Sequence, residues 1–144
     1  MKRYIIFLLC MLLFSSCCHQ ESELTREHGP ELQAAYEEFT EAVAVAYETG
    51  NTSQLENVAT GYELEYRQET ADYADARKTA ERWRVDIIQV IVKEYSTDAA
   101  MIYVEQRVPA VEERPGFEAV RIVSFQMVDG KWKVSKVDPY PFKS

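Results

Sequence analysis

The chain has 144 residues, of which 47% are apolar and 12% aromatic, so it can form one domain with a hydrophobic core. This composition excludes an intrinsically disordered chain. The formal net charge is −8, which argues against a nucleic-acid-binding protein, because contacts with phosphates require clustered Lys and Arg. We therefore predict one folded domain and no nucleic-acid partner.

The charge is distributed unevenly along the chain. Residues 20–75 contain 14 acids and 2 bases, whereas residues 76–144 contain 10 acids and 12 bases. The first part has the pattern of acidic helices and the second part that of strands. The acidic helices present either a solvated face or a surface that selects partners, and the sequence leaves both interpretations open.

Residues 1–16 have the three parts of a secretory signal peptide. A positive start, Met1-Lys2-Arg3, precedes an unbroken apolar run from Tyr4 to Phe14, and small residues follow it. The run is too short to span a membrane, which takes about 20 apolar residues. Phe14-Ser15-Ser16-Cys17 resembles the lipobox of bacterial lipoproteins. The resemblance implies cleavage before Cys17, lipidation of its sulfur, and export to a lipid-anchored position on the bacterial cell membrane or outer membrane.

All three cysteines, Cys10, Cys17 and Cys18, lie in the first 18 residues. An exported domain normally uses cysteines in pairs, so no disulfide bond is predicted in the folded part. Cys18 suits lipidation less well than Cys17, because the residue before it is not small; it is either a bystander or a second acylation site. Residues 17–29 are predicted to form the lipidated N-terminus and a polar, flexible tether.

Residues 30–144 are predicted to form a single α+β domain that begins with a long helix. Gly29-Pro30 indicates where this helix begins, since proline suits the first helical position, and Gly50 indicates where it ends. Its apolar residues recur at helical spacing and form a stripe wide enough to lie across a sheet. They are Leu32, Ala35, Tyr36, Phe39, Ala42, Val43, Ala46 and Tyr47.

Two further helices are predicted before the strands. Ser53-Gln54-Leu55-Glu56 has the pattern of a capping box, which predicts a short helix that ends at Gly61. A third helix is predicted from Tyr62 to Glu81, where the apolar stripe is uneven and a break near Ala71 is expected.

Four strands are predicted in the last third of the chain, over residues 83–92, 99–107, 117–128 and 131–137. The apolar alternation changes phase within the first of them, near Ile87-Ile88. This change indicates either a β-bulge, which would turn both apolar sets inward, or a strand covered on both sides. Asp129-Gly130 predicts a two-residue turn of type I′ between the last two strands.

Helices followed by an antiparallel meander predict an α+β fold, with a curved four-stranded antiparallel sheet packed against the N-terminal helices. The order of elements, the stretch Ala59-Thr60-Gly61-Tyr62-Glu63-Leu64 and the ending Gly130-Lys131-Trp132-Lys133-Val134 resemble the nuclear-transport-factor-two-like (cystatin-like cone) superfamily. Within it they are similar to the non-catalytic bacterial lipoproteins and to the intermembrane-space domain of chloroplast division proteins. The resemblance covers roughly residues 30–137 and implies a conical hollow between the sheet and the long helix.

Enzymes of this superfamily, such as ketosteroid isomerases and scytalone dehydratase, resemble one another in placing Asp, His or Tyr inside the hollow. No His or Cys occurs in residues 30–144, which excludes His-based acid–base pairs and Cys nucleophiles there. His- or Cys-ligated metal sites are excluded for the same reason, and no cofactor is predicted. Asp86 with a nearby tyrosine remains the enzymatic alternative, because an inward carboxylate would have a raised pKa. The strand pattern instead places Asp86 among solvent, and Glu105 is a weaker candidate still.

The sequence therefore predicts no catalytic residue and favours a binding module over an isomerase or dehydratase. Eight aromatic residues are candidates for lining the hollow, although tyrosines at helical spacing are more often part of a core. They are Tyr36, Phe39, Tyr62, Tyr66, Trp83, Tyr103, Phe125 and Trp132. The partner is predicted to be a protein or a small apolar ligand at the cell envelope. A homodimer through the outer face of the sheet, at Val120, Ile122 and Val128, is a further hypothesis.

Overall fold

The computed structural model describes the backbone of residues 2–140 and the side chains of residues 20–140. The signal peptide and the lipidated Cys17 that the sequence predicts lie outside the described side chains. The chain forms α1 (Lys2–Thr49), a 3-10 helix (Leu55–Asn57), α2 (Gly61–Ala71), α3 (Ala76–Thr79), a second 3-10 helix (Ala80–Trp83), β1 (Asp86–Tyr95), β2 (Ala99–Val108), β3 (Phe117–Val128) and β4 (Lys131–Pro139).

The predicted α+β fold is confirmed. The four strands form one curved antiparallel sheet in the order β1-β2-β3-β4, and α1 packs against its inner face. Alternate residues of each strand face the helices, as period-two side-chain geometry requires. The core residues of the sheet include Val92, Ile102, Val104, Val123, Phe125 and Val134.

The phase change in the first strand is a β-bulge. The register between β1 and β2 shifts between Ile87 and Gln89, so Ile88 is left exposed while Ile87 packs against the core. The alternative prediction, a strand covered on both sides, is therefore wrong. The strand begins at Asp86, three residues later than predicted, because Trp83 belongs to the second 3-10 helix.

The hairpin between β3 and β4 has the predicted turn. Asp129 and Gly130 both have positive φ, 51° and 77°, as a type I′ turn requires. β3 has the predicted bounds, and β4 continues two residues beyond its predicted end, to Pro139. The predicted break near Ala71 is confirmed, since α2 ends there. The predicted capping box is not formed: the Ser53 N–H donates to Asn51 Oδ1 at 3.1 Å, and only a short 3-10 helix follows.

The predicted flexible tether is wrong for residues 20–29, which are helical and continuous with the rest of α1. Pro30 lies inside the helix rather than at its beginning. Proline removes one helical hydrogen bond, so contacts with β1 must stabilise the segment before it. Thr25 Oγ1 accepts the Val92 N–H at 2.9 Å, and Glu21 forms an ion pair with Lys93.

His28 provides a third contact between α1 and β1. Its ring stacks on Tyr95 with 3.5 Å between ring centroids and an interplanar angle of 8°. The Tyr95 hydroxyl donates to Glu31 Oε1 at 3.1 Å, which joins the stack to the next turn of α1.

Among the described side chains, no helix carries an apolar stretch long enough to cross a membrane.

Other parts of the chain form hydrogen bonds with both edges of the sheet. At the β1 edge, α1 accepts the Val92 N–H as described above. At the β4 edge, the Val134 N–H donates to the Val58 carbonyl at 2.8 Å, and the Thr60 N–H donates to the Val134 carbonyl at 3.0 Å. Exposed edges are templates for pairing with other chains, so these contacts protect the sheet from edge-to-edge association.

The proposed dimer face lies on the outer side of the sheet. Val120 and Ile122 are half-buried, and Tyr140 contacts part of this side. The Tyr140 N–H donates to the Val120 carbonyl at 3.1 Å, and its ring makes an edge contact with Tyr103 at 5.4 Å. The chain itself therefore covers some of the apolar surface that a second copy would need.

Candidate functional site

One end of the space between α1 and the sheet is filled by large side chains. Phe125 and Trp132 are buried there, and Phe39, which also contacts Trp83, is buried with them in the hydrophobic core. These three predicted lining residues are therefore part of the core and do not line an open hollow.

The other end of the cone retains a cavity of about 200 Å³. Its apolar walls come from the second 3-10 helix, the segment that follows it, β2, β3 and β4, so it lies where all the layers of the fold meet. The apolar lining residues are Trp83, Val85, Val108, Phe117 and Val137.

Five polar side chains complete the lining of this cavity: Tyr36, Thr79, Arg82, Gln106 and Arg121. The Tyr36 hydroxyl donates to Gln106 Oε1 at 2.8 Å, and both side chains are buried. Burial raises the pKa of Tyr36 far above its ordinary value, although the positive charge of Arg121 works in the opposite direction. Tyr36 is therefore a neutral hydrogen-bond donor, and it orients the amide of Gln106.

The charged groups at the cavity are all cations. No Asp or Glu is among its lining residues. Within residues 20–140, neither Arg82 nor Arg121 forms an ion pair, in contrast to Arg67, Arg84 and Arg107. The Arg82 Nε is buried and has no hydrogen-bond partner in that range, and its guanidinium group lies 5.6 Å from the Phe117 ring centroid. The cavity thus concentrates unpaired positive charge in a chain whose net charge is −8.

The structure brings together only two of the eight aromatic residues predicted to line the hollow, Tyr36 and Trp83. Tyr62 and Tyr66 lie exposed on α2, where their rings stack at 5.9 Å. Tyr103 lies on the outer face of the sheet, because Ile102 and Val104 on either side of it face the core. The prediction that Tyr62, Tyr66 and Tyr103 line the hollow is therefore wrong.

The carboxylates weighed for catalysis lie away from the cavity. Asp86 is exposed at the beginning of β1, opposite Arg107 of β2. Glu105 alternates with the inward residues Val104 and Gln106, so it belongs to the outer face. The alternative mechanism required an inward Asp86, and its position removes the acid–base group on which that mechanism depended.

A buried ion pair contacts Trp83, and the sequence did not predict it. Glu63 and Arg67 of α2 are 2% and 9% exposed, and Arg67 Nε donates to Glu63 Oε1 at 2.7 Å. Arg67 also donates to the Tyr47 hydroxyl of α1 at 3.1 Å, and its guanidinium carbon lies 4.3 Å from the Trp83 ring centroid. The other carboxylate oxygen of Glu63 accepts the Val137 N–H of β4 at 3.3 Å.

This pair has the properties of a structural element. Burial alone would lower the pKa of Arg67, but the hydrogen bond to Tyr47 and the charge of Glu63 outweigh it, so the pKa lies above its ordinary value. Both charges are satisfied within the protein, and neither group lines the cavity. The pair therefore stabilises the position of Trp83, which forms one wall of the cavity.

Two cavity residues that were not predicted, Gln106 and Arg121, can be recognised by continuing the inward–outward alternation along their strands. Gln106 follows Ala100, Ile102 and Val104 on the inward row of β2. Arg121 lies between Ala119 and Val123 on the inward row of β3. A polar residue on a row that faces the core is a signal for a site or a buried network. Arg82 offers no such signal, because an irregular 3-10 turn places it.

A larger groove of about 850 Å³ lies outside the cone, between α1, the first 3-10 helix and the β3–β4 hairpin. Its charged lining residues are surface side chains, and two of them are already engaged: Lys131 pairs with Glu38 at 3.0 Å, and Lys133 Nζ donates to the Glu56 carbonyl at 2.6 Å. The smaller cavity is the better candidate, because its polar groups converge from several elements and face apolar walls.

No protein-family model matches the chain, and a search of curated proteins finds no match. The superfamily that the sequence pattern resembles therefore stays a prediction.

Replacing Glu63 by Leu should lower the free energy of unfolding by roughly 3–5 kcal/mol, because Arg67 is left buried without its partner. The double variant Glu63→Leu/Arg67→Met should recover most of this loss, since it removes both charges. Chemical denaturation measures both values. Asp75→Asn, which breaks the exposed pair with Lys78, is the control and should leave stability unchanged. A double variant no more stable than the single one would contradict the expectation.

The raised pKa of Tyr36 predicts a specific loss of stability in alkali. The unfolded chain releases this proton near pH 10, whereas the folded protein retains it to higher pH, so stability is complete below pH 10 and falls above it. Tyr36→Phe should therefore lose stability less steeply above pH 10. At pH 7 it should be less stable by about 1 kcal/mol, because Gln106 loses its donor. Denaturation midpoints across this pH range, with the exposed Tyr73→Phe as control, measure the difference; parallel slopes for wild type and Tyr36→Phe would contradict it.

Proposed function

We propose that this protein is an exported bacterial lipoprotein, anchored to a membrane through Cys17, whose cone domain binds a small ligand without chemical conversion. The observation that carries the proposal is the cavity at the open end of the cone. Apolar walls and polar groups that converge from five different elements are the usual features of a small-molecule site. We include membership of the nuclear-transport-factor-two-like superfamily in this proposal.

The donor groups at the cavity support binding rather than catalysis. Tyr36 keeps its proton because burial raises its pKa, and arginine keeps its charge at every physiological pH. General acid–base catalysis needs a group whose pKa lies near the working pH, and neither type of group meets this requirement. The site is therefore suited to hold a ligand through fixed donors.

The anchor is supported by the sequence from Met1 to Cys17, and the course of α1 indicates how far the anchor would lie from the domain. The helix rises about 1.5 Å per residue, so the stretch from Cys17 to Pro30 covers roughly 20 Å. Contacts of Thr25 and His28 with β1 join this stretch to the domain. The domain would then be held near the membrane by a helix. A protein partner, including a second copy bound through Val120, Ile122 and Val128, remains a secondary proposal.

Replacing Cys17 by Ala should release the protein from membranes, because the acceptor of the acyl chains is lost. Fractionation of cells that express the full chain measures the distribution between membrane and soluble fractions. Cys18→Ala is the matched control and should stay in the membrane fraction. Membrane association of Cys17→Ala equal to that of the wild type would contradict the anchor.

Small fragments should bind in the cavity and shift the indole N–H signal of Trp83 in a nitrogen–proton correlation spectrum. Trp132, the only other tryptophan of the chain, lies in the filled end of the cone and serves as the internal reference. Val108→Phe should abolish the shift by filling part of the cavity, whereas the exposed Ile88→Phe should retain it. If no member of a collection of charged and uncharged fragments shifts Trp83, the proposed ligand site is wrong.

A further inference from the structure

We infer that the cavity selects small organic carboxylates, with the carboxylate held by Arg82 and Arg121 and the apolar body held against Trp83 and Phe117. The inference rests on the proposed function and specifies its ligand. Nothing in it depends on the membrane anchor.

The charge of the cavity favours an anionic ligand. Two half-buried guanidinium groups line a cavity that contains no carboxylate, and neither has an ion-pair partner within residues 20–140. A cation removed from water and left unpaired is costly, so a ligand that supplies the missing anion gains more than one that does not. The buried Arg82 Nε, which has no partner in the described part of the chain, is a donor that such an anion could satisfy.

The arrangement of hydrogen-bond donors at the cavity suits a carboxylate. Arg121 projects from the inward row of β3, whereas Arg82 belongs to the second 3-10 helix, so the two cations approach the cavity from different elements. The side-chain oxygen of Gln106 accepts a hydrogen bond from the Tyr36 hydroxyl. The NH2 group of Gln106 is therefore directed towards another acceptor. Guanidinium and amide donors together match the acceptor oxygens of a carboxylate.

The size and the apolar walls of the cavity suit a compact, apolar ligand. A volume of about 200 Å³ equals roughly seven water molecules at about 30 Å³ each, which is too small for a long acyl chain. Trp83 and Phe117 provide aromatic surface beside the cations, and three valines complete the apolar wall. An inorganic anion would leave these walls unoccupied. Benzoate, which joins one carboxylate to one compact apolar ring, has the required features and is the probe that we choose.

The test compares benzoate with benzamide, which has the same ring without the charge. Benzoate should shift the Trp83 indole signal and leave that of Trp132 in place, whereas benzamide should need a concentration roughly tenfold to a hundredfold higher. Inorganic sulfate should bind more weakly than benzoate. Equal affinities for benzoate and benzamide would overturn the inference while leaving a ligand-binding cavity. Absence of a shift by any fragment would overturn both the inference and the proposed function.

Arg121→Gln and Arg82→Gln should each weaken benzoate binding by roughly tenfold or more and leave benzamide binding nearly unchanged. Arg107→Gln removes the same charge from the same sheet, but Arg107 pairs with Glu118 outside the cavity, so benzoate binding should be unchanged. A loss of equal size in Arg107→Gln would overturn the inference, because the effect would then be one of net charge.

Thermal unfolding separates a binding role from a structural one. Because Arg121 has no ion-pair partner within residues 20–140, Arg121→Gln should unfold at the same temperature as the ligand-free wild type or higher. A large drop would indicate that Arg121 supports the fold. In that case Arg82→Gln, which alters a 3-10 turn and leaves the sheet intact, decides the question: unchanged benzoate affinity in this variant would overturn the inference.

Discussion

The structure depends on one buried ion pair, that between Glu63 and Arg67. α2 has an uneven apolar stripe, and its buried positions are Glu63, Arg67 and Ala71, spaced by one helical turn. A helix with two charges on its core-facing side can pack only where each charge is satisfied, because an unpaired buried ion is strongly destabilising. Tyr47 of α1 and the Val137 N–H of β4 provide the additional partners. The pair therefore determines how α2 sits between the first helix and the last strand.

The same pair also holds one wall of the cavity in place. The Arg67 guanidinium stacks on the ring of Trp83, and Phe39 and Tyr47 approach the indole edge-on at 6.1 Å. These contacts hold the second 3-10 helix against α1, with Arg82 beside the cavity. At the other end, Phe125 and Trp132 fill the interior. One end of the fold is thus solid core and the other is a small cavity with fixed cations.

Local sequence patterns predicted the parts of the fold that depend on local interactions. The alternation of β3, the Asp129-Gly130 turn and the bulge near Ile88 are all encoded within a few residues. The helical state of residues 20–29 is not, because it depends on contacts with β1 that are distant in sequence. For the site, Tyr36 and Trp83 were predictable as large aromatics. Arg121 and Gln106 were visible only as polar exceptions on inward rows, and Arg82 and the Glu63–Arg67 pair required the tertiary structure.

Trp83 is shared by two parts of the molecule that would otherwise be independent. It contacts the Arg67 guanidinium, and it also lines the cavity. Any molecule that occupies the cavity also restrains the residue on which α2 is packed, so occupancy and folding are thermodynamically linked. With the cavity empty, α3 and the second 3-10 helix should open first, and any occupant of the cavity should lengthen the time for which the folded domain survives proteolysis.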